Sequence, residues 1–530
     1  MITAGELQTS AVAVGRRNWT RTVIAAGAAA AIGLGVLAGV LAVSGQIGAL
    51  VGLVGLILPV AVWRRPALGV LGLGCAGIVI EQYRIGAPGG DITDHIPWFT
   101  SLSDGFKLSG VYANPAELGI ITVLAILVGR SAITRRFIWP SGFVGAGYVA
   151  VLVAVAIGAV HGAGTGGNST MILWEVRPFL YVFLLYFLAL QLLPAMRTLE
   201  ALYWCIVIGT GFKALQGLIV LIPILSSGSP RPDNLLSHDD AFFFGMDIVL
   251  VASLWLFGQK GRLRTVATML LPLIVVINMA NSRRTAWLIL AVGLLVTLVM
   301  VVVRLPAKRG FVAKLVVVAG VAFAIYLPLF WNSTGIIGQP ARAVQSAVAP
   351  SERDRLSDLY RVVENANLTL AIRASPLGAG FGIPINYVIP IVDLTRTDPF
   401  LKYITHDGIL YVWMRMGWFG FIAWWSWIGV VLISAAQLLR ARDLRLACFA
   451  SFTAACVTGY VIEGYYDLGL FWFRMAFFMG VVIGLMQVAH RLEAAVPAPM
   501  GAAAPTPAPM VAAAPTPAPM VAAAPAGVRR

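Results

Sequence analysis

Residues 281–309 read NSRRTAWLILAVGLLVTLVMVVVRLPAKR. From Thr285 to Val303 the segment holds no ionisable side chain, while both flanks carry arginine. As a helix rising about 1.5 Å per residue, this run reaches about 28 Å, close to the roughly 30 Å hydrocarbon core of a bilayer. Stretches of the same kind recur from Thr22 to Met486. Composition agrees: 59% of residues are hydrophobic and 12% charged, against roughly a quarter charged in soluble domains. The expected fold class is all-α, a polytopic transmembrane helical bundle of about fourteen spans with one large external loop.

A net charge of +15 would point to nucleic acid in a soluble protein. Here the Lys and Arg residues sit in short segments between apolar runs, where they are retained on the cytoplasmic side and set topology. The clusters Arg16/Arg17/Arg21, Arg64/Arg65, Arg130/Arg135/Arg136, Arg197, Lys260/Arg262/Arg264, Arg304/Lys308/Arg309/Lys314, Arg440/Arg442/Arg445 and Arg491 all fit one parity. They place spans near 22–43, 46–62, 67–82, 109–129, 138–160, 176–193, 199–222, 241–257, 265–281, 285–303, 312–330, 409–437, 446–462 and 470–488. The expectation is a multi-pass bacterial inner-membrane protein with both termini cytoplasmic, membrane lipids around it and no nucleic-acid partner. The tight pairs at 22–62 and 265–303 leave re-entrant or tilted segments open.

The domain organisation follows as a cytoplasmic segment 1–21, eleven helices within 22–330, an external loop 331–408, three helices within 409–490 and a cytoplasmic tail 491–530. The first apolar run reads as a retained helix: it is long, lacks a clear cleavage site and leads at once into a second run. From Pro497 the chain repeats PAPMGAAAPT, PAPMVAAAPT and PAPMVAAAPA. Repeated proline prevents continuous helix there, and the composition predicts disorder. Cys75, Cys205, Cys448 and Cys456 lie in apolar stretches without metal-site or disulfide spacing, as packing residues do.

The long external loop is the segment most suited to chemistry. Within it, Ser351 to Ile372 interleaves charges with Leu356, Leu359, Val363, Leu368 and Leu370, the pattern of an amphipathic helix near the membrane face. Where the loop returns to the bilayer stands Thr405-His406-Asp407-Gly408-Ile409-Leu410, followed by Arg415-Met416-Gly417-Trp418-Phe419-Gly420. A histidine with an ordinary pKa of about 6.5 can take a proton from a sugar hydroxyl, and Asp407 is the expected orienting group. The alternative is an interfacial histidine satisfied by backbone.

Arg283 and Arg284 stand against the orientation rule at an outer helix end. Such charges need partners, and planar guanidinium groups suit phosphate. The competing reading pairs them with Asp239, Asp240 or Glu463. Arg361 and Arg373, twelve residues apart, are placed to share an amphipathic helix face. The glycines of Ser375-Pro376-Leu377-Gly378-Ala379-Gly380-Phe381-Gly382 predict a tight turn and no nucleotide loop, since no P-loop lysine follows. Within the spans, Lys213 is expected to pair with Asp247.

Taken in order, the Ser-Arg helix end, the long outer loop, Arg361 fifteen residues before Pro376-Leu377-Gly378-Ala379-Gly380, then His406 and Gly417-Trp418-Phe419-Gly420 resemble the O-antigen ligase and polymerase family. The resemblance spans about Arg231 to Gly420. It implies an inverting glycosyl transfer without metal or other cofactor, from an undecaprenyl-diphosphate-linked glycan to a saccharide or lipid-linked acceptor. His406 would be the general base. Arg283 or Arg284, together with Arg361, would hold the donor diphosphate, and Arg373 is a further candidate. Diphosphate leaves readily when arginines stabilise its charge, so no paired carboxylates are required. Where this chain has His406-Asp407 the family commonly has His-Asn, and many members have about twelve helices. Ligase and polymerase both remain open, and other polysaccharide-assembly proteins are candidate partners. A lipid-linked oligosaccharide flippase is the rival reading, which the asymmetric placement of the long loop disfavours; a scaffold is the third.

Overall fold

The computed structural model describes residues 59–83, 93, 95–107, 110–135, 137–140, 142–227, 235–396 and 399–495. The expected span 22–43, most of 46–62 and nearly all of the tail lie outside the described residues. The described helices up to Glu493 belong to one compact unit, and Ala494 and Ala495 are the described part of a second.

No strand occurs among the described residues. After a helical turn at 59–64 come α1 (Pro66–Val79), the short α2 (Leu102–Phe106), α3 (Pro115–Thr134), α4 (Phe143–Gly164), α5 (Ser169–Leu192) and α6 (Met196–Ser227). Next are α7 (His238–Leu256), α8 (Arg262–Ala280), α9 (Arg284–Arg304) and α10 (Arg309–Phe330). The segment between α10 and the next long helix contains α11 (Gln339–Val348) and α12 (Glu352–Ala374), and the described residues close with α13 (Gly408–Leu438), α14 (Leu444–Tyr466) and α15 (Phe473–Ala494). Ten of these are long and apolar enough to cross a membrane, with the turn at 306–308 counted into α10. The protein is an all-α polytopic membrane protein.

α1 is shorter than the expected span, and α7 carries Asp239, Asp240 and Asp247 on an otherwise apolar helix. The tight pair at 265–303 consists of two separate helices, α8 and α9, joined by Asn281-Ser282-Arg283. Ser282 takes a left-handed φ of 55° there, which reverses the chain in three residues.

Burial varies sharply around the bundle. In α14, 83% of the apolar window is buried, while in α10 only 6% is, so α14 is a central helix and α10 presents nearly its whole apolar surface outward. Gly480 on α15 lets α5 come close: a Cβ there would meet the Val182 carbonyl at 2.7 Å. Small residues at helix crossings serve this purpose in membranes, where lipid is as apolar as the core.

The charges inside the bundle are partnered. Arg474 on α15 donates from Nη1 to Asp239 at 2.9 Å and from Nη2 to Asp240 at 2.7 Å, and also bonds Glu81. Lys213 on α6 contacts Glu81 and lies 3.3 Å from Asp240. The partner of Lys213 is thus this cluster rather than Asp247. Charges taken out of water persist only when paired in this way. The cluster ties α1, α6, α7 and α15 together directly beneath the first residue of α7, His238.

Candidate functional site

The segment between α10 and α13 packs through α12 against the start of α13. α12 begins with a reciprocal cap: Asp354 amide donates to Ser351 Oγ at 3.2 Å, and Asp354 Oδ2 accepts from the Ser351 amide at 3.3 Å. The helix then runs with its polar face inward. Glu364, Asn367 and Leu368 are buried, while Leu356, Leu359 and Val362 are exposed. That orientation fits a helix lying at a membrane surface, with apolar side chains outward and chemistry inward.

Glu364 meets His406. Its Oε1 and Oε2 each lie 3.3 Å from His406 Nδ1, and Oε2 accepts from the His406 amide at 3.2 Å. The ring of Tyr360, one turn earlier, stands edge-on to the imidazole at 5.5 Å between centroids. Burial pulls the His406 pKa down, but the hydrogen bond and charge of Glu364, with help from Asp467, outweigh it and hold the pKa above the ordinary value; the Arg361 charge works in the opposite direction. With Nδ1 fixed by a carboxylate, Nε2 is the nitrogen left to exchange a proton with a ligand.

Asp407, the residue expected to orient the base, does something else. Its Oδ1 accepts from the amides of Ile409 at 3.0 Å and Leu410 at 2.9 Å, capping α13, and its Oδ2 accepts from Asn365 Nδ2 at 3.1 Å. An aspartate at an N-cap satisfies amides that have no partner in the helix. The carboxylate in contact with the imidazole is Glu364, forty-two residues upstream.

The arginines divide. Arg284 donates to Asp358 at 3.2 Å and lies 3.8 Å from Asp354, so α12 supplies its partners in place of Asp239, Asp240 or Glu463. Arg283 and Arg361 act electrostatically on the same group: the charge of each bears on Glu463, a buried residue in the last turn of α14. Arg373 is exposed in the last turn of α12. Nine residues of helix, about 13 Å of rise, separate it from Glu364, the α12 residue that meets His406.

The glycine-rich segment after α12 is a structural lock. Gly378, Gly380 and Gly382 all have left-handed φ, at 98°, 80° and 75°. The Ala379 amide donates to the Met414 carbonyl at 2.7 Å and the Gly380 amide to the Arg415 carbonyl at 3.2 Å. These carbonyls are available because α13 breaks at Gly417, where φ is 66° and ψ −170°. A Cβ on Gly417 would lie 2.4 Å from the Leu377 backbone, so the two glycine motifs interlock. Below them Arg415 Nη2 donates to Glu175 at 2.7 Å and Nη1 to the Gly380 carbonyl at 2.9 Å; Tyr411 Oη donates to Glu175 at 2.7 Å. Glu175 and Arg415 were not among the expected site residues, and they are what hold the returning loop against α13.

A cavity of about 250 Å³ opens beside Tyr360, lined also by Tyr387, Leu401 and the irregular stretch from Pro390 to Thr395. Tyr360 both lines it and stands edge-on to the His406 imidazole. Among the described residues, Glu81, Asp239 and Asp240 are the group whose oxygens come close enough to share a cation; Arg474 and Lys213 already occupy them.

No curated protein matches the chain. Residues 267–425 match the family model described as O-antigen ligase, and this stretch contains Arg283, Arg284, Arg361, Arg373, the glycine segment, His406 and Arg415. Residues 267–425 are thus similar to the O-antigen ligase family, within a multi-pass membrane protein.

Proposed function

We propose that this protein transfers a glycan from undecaprenyl diphosphate to an acceptor hydroxyl at the external face of a bacterial inner membrane, with both termini cytoplasmic. The observation that carries the reading is the His406–Glu364 pair, set beside a cavity and near Arg283 and Arg361 within the segment that matches the family. The acceptor hydroxyl gives its proton to His406 Nε2 as its oxygen attacks the anomeric carbon, and the bond from that carbon to the diphosphate breaks. Glu364 stabilises the imidazolium so formed. The arginines meet the negative charge that develops on the leaving diphosphate. Attack opposite the leaving group gives inversion, and neither step calls on a metal or cofactor.

The test is turnover of an undecaprenyl-diphosphate-linked glycan by purified protein in lipid, without added nucleotide or metal, comparing wild type with His406→Ala at matched folding. Transfer by wild type alone supports the mechanism, and product length separates polymerase from ligase. Equal transfer by both refutes the role of His406. Movement of the donor across the bilayer without bond formation would favour a flippase, the reading to which the buried cluster around Arg474 lends itself.

A further inference from the structure

A second histidine–carboxylate pair stands at the same end of the bundle. His238, the first residue of α7, has Nδ1 2.7 Å from Asp467 Oδ2. The other oxygen of Asp467 accepts from the Leu468 amide at 2.8 Å, so both are engaged. Asp467 is buried, whereas about 35% of the His238 side chain is exposed. The carboxylate therefore faces the protein and the imidazole faces outward.

Three contacts draw this pair toward the arginines and His406. Asn281 Oδ1 accepts from the amides of Leu235 at 3.2 Å and Leu236 at 2.9 Å, and its Nδ2 donates to the Ser237 carbonyl at 3.2 Å. The residue before His238 is thereby bound to the turn that presents Arg283. At the start of α13, two residues after His406, Gly408 packs on the Gly464 carbonyl, where a Cβ would come within 2.8 Å; Gly464 lies three residues before Asp467. Beneath His238, Asp239 and Asp240 are fixed by Arg474. Burial raises the pKa of Asp467, yet the charge and hydrogen bond of His238 and the charges of Arg283 and His406 hold it well below the carboxylate range.

We propose that His238 is a diphosphate-binding residue: Asp467 fixes Nδ1, and Nε2 joins Arg283 in holding the phosphate oxygens of the polyprenyl diphosphate, while His406 handles the proton of the acceptor. The two pairs thus divide the work between the departing and the attacking oxygen. The assignment rests on the glycosyl-transfer reading above.

Two variants separate the ligand nitrogen from the structural one. Asparagine at 238 keeps a donor near the Nδ1 position for Asp467 and removes the distal nitrogen; glutamine keeps a distal nitrogen. The probe is inorganic pyrophosphate, measured by direct binding to full-length protein in lipid and as a competitor of the glycan donor. Wild type is expected to bind it competitively. His238→Asn should weaken pyrophosphate binding and raise donor KM by about tenfold or more, the scale of a hydrogen bond to a charged group, with kcat within about threefold. His238→Gln should recover part of the affinity. Unchanged pyrophosphate affinity in His238→Asn overturns the inference, as does a fall in kcat with KM and affinity untouched. Wild-type transfer that pyrophosphate does not compete overturns it while leaving the glycosyltransferase reading intact, whereas absence of wild-type transfer removes that reading itself.

Discussion

Replacing Glu364 with Gln removes one charge from a buried side chain and keeps its shape. In wild type the carboxylate accepts from the His406 backbone amide and touches Nδ1 with both oxygens at 3.3 Å. A hydrogen bond to a charged group contributes about 1.5–3 kcal/mol. If that stabilisation is felt when the imidazolium forms, its loss lowers kcat about 10- to 150-fold, at about 1.4 kcal/mol per tenfold. The pH dependence gives a second reading. As a base His406 works in its neutral form, so the rate rises with pH through its pKa. Burial lowers that pKa and Glu364 more than reverses the effect, so Glu364→Gln must move the acid limb to lower pH. The deficit should be largest on the alkaline plateau and narrow toward acid, where wild-type His406 is protonated. Initial transfer rates across pH, at matched folding, measure both effects. A limb that stays in place or moves upward, or a plateau equal to wild type, refutes the assignment of Glu364.

Further outcomes follow from other parts of the molecule. Arg474→Met leaves Glu81, Asp239 and Asp240 buried with Lys213 as their remaining cation; stability in detergent, followed by thermal unfolding, should fall by about 3–5 kcal/mol, and an unchanged midpoint would refute the cluster's structural role. Gly378→Ala places a Cβ 2.6 Å from the Arg415 carbonyl at a φ of 98°, so it should destabilise by more than the roughly 1–2 kcal/mol of left-handed strain alone and abolish transfer; wild-type stability would show that the loop can relax. Asp358→Asn breaks a half-exposed pair with Arg284, and such pairs contribute about 0–1 kcal/mol, so its unfolding midpoint should hardly move. Arg373→Ala should leave transfer within about threefold, because about 13 Å of helix rise separates Arg373 from Glu364, the residue of α12 that meets His406; a loss above tenfold would return Arg373 to the donor site.

The sequence by itself determined the solvent and the outline. Apolar runs of bilayer length admit only helices that satisfy their own backbone, because lipid supplies no hydrogen bonds. The arginines at 283 and 284 and the histidine at 406 were legible for the same reason: polar groups at a membrane boundary need a purpose or a partner. The amphipathic pattern of 351–372 likewise gave α12 to within a few residues. What the pattern left undecided was which partner each charge takes. Lys213 goes to Glu81 and Asp240, Arg284 to α12, His406 to Glu364 and His238 to Asp467. Asp407, adjacent in sequence to the histidine, is turned to the amides of α13 because a helix start claims the nearest side-chain acceptor. Periodicity fixes the face on which a side chain lies, but a pair hundreds of residues apart forms only when helix packing sets two ends side by side. His238 and Asp467, 229 positions apart, were brought together by the bundle, since no local spacing encodes a contact made by tertiary structure alone.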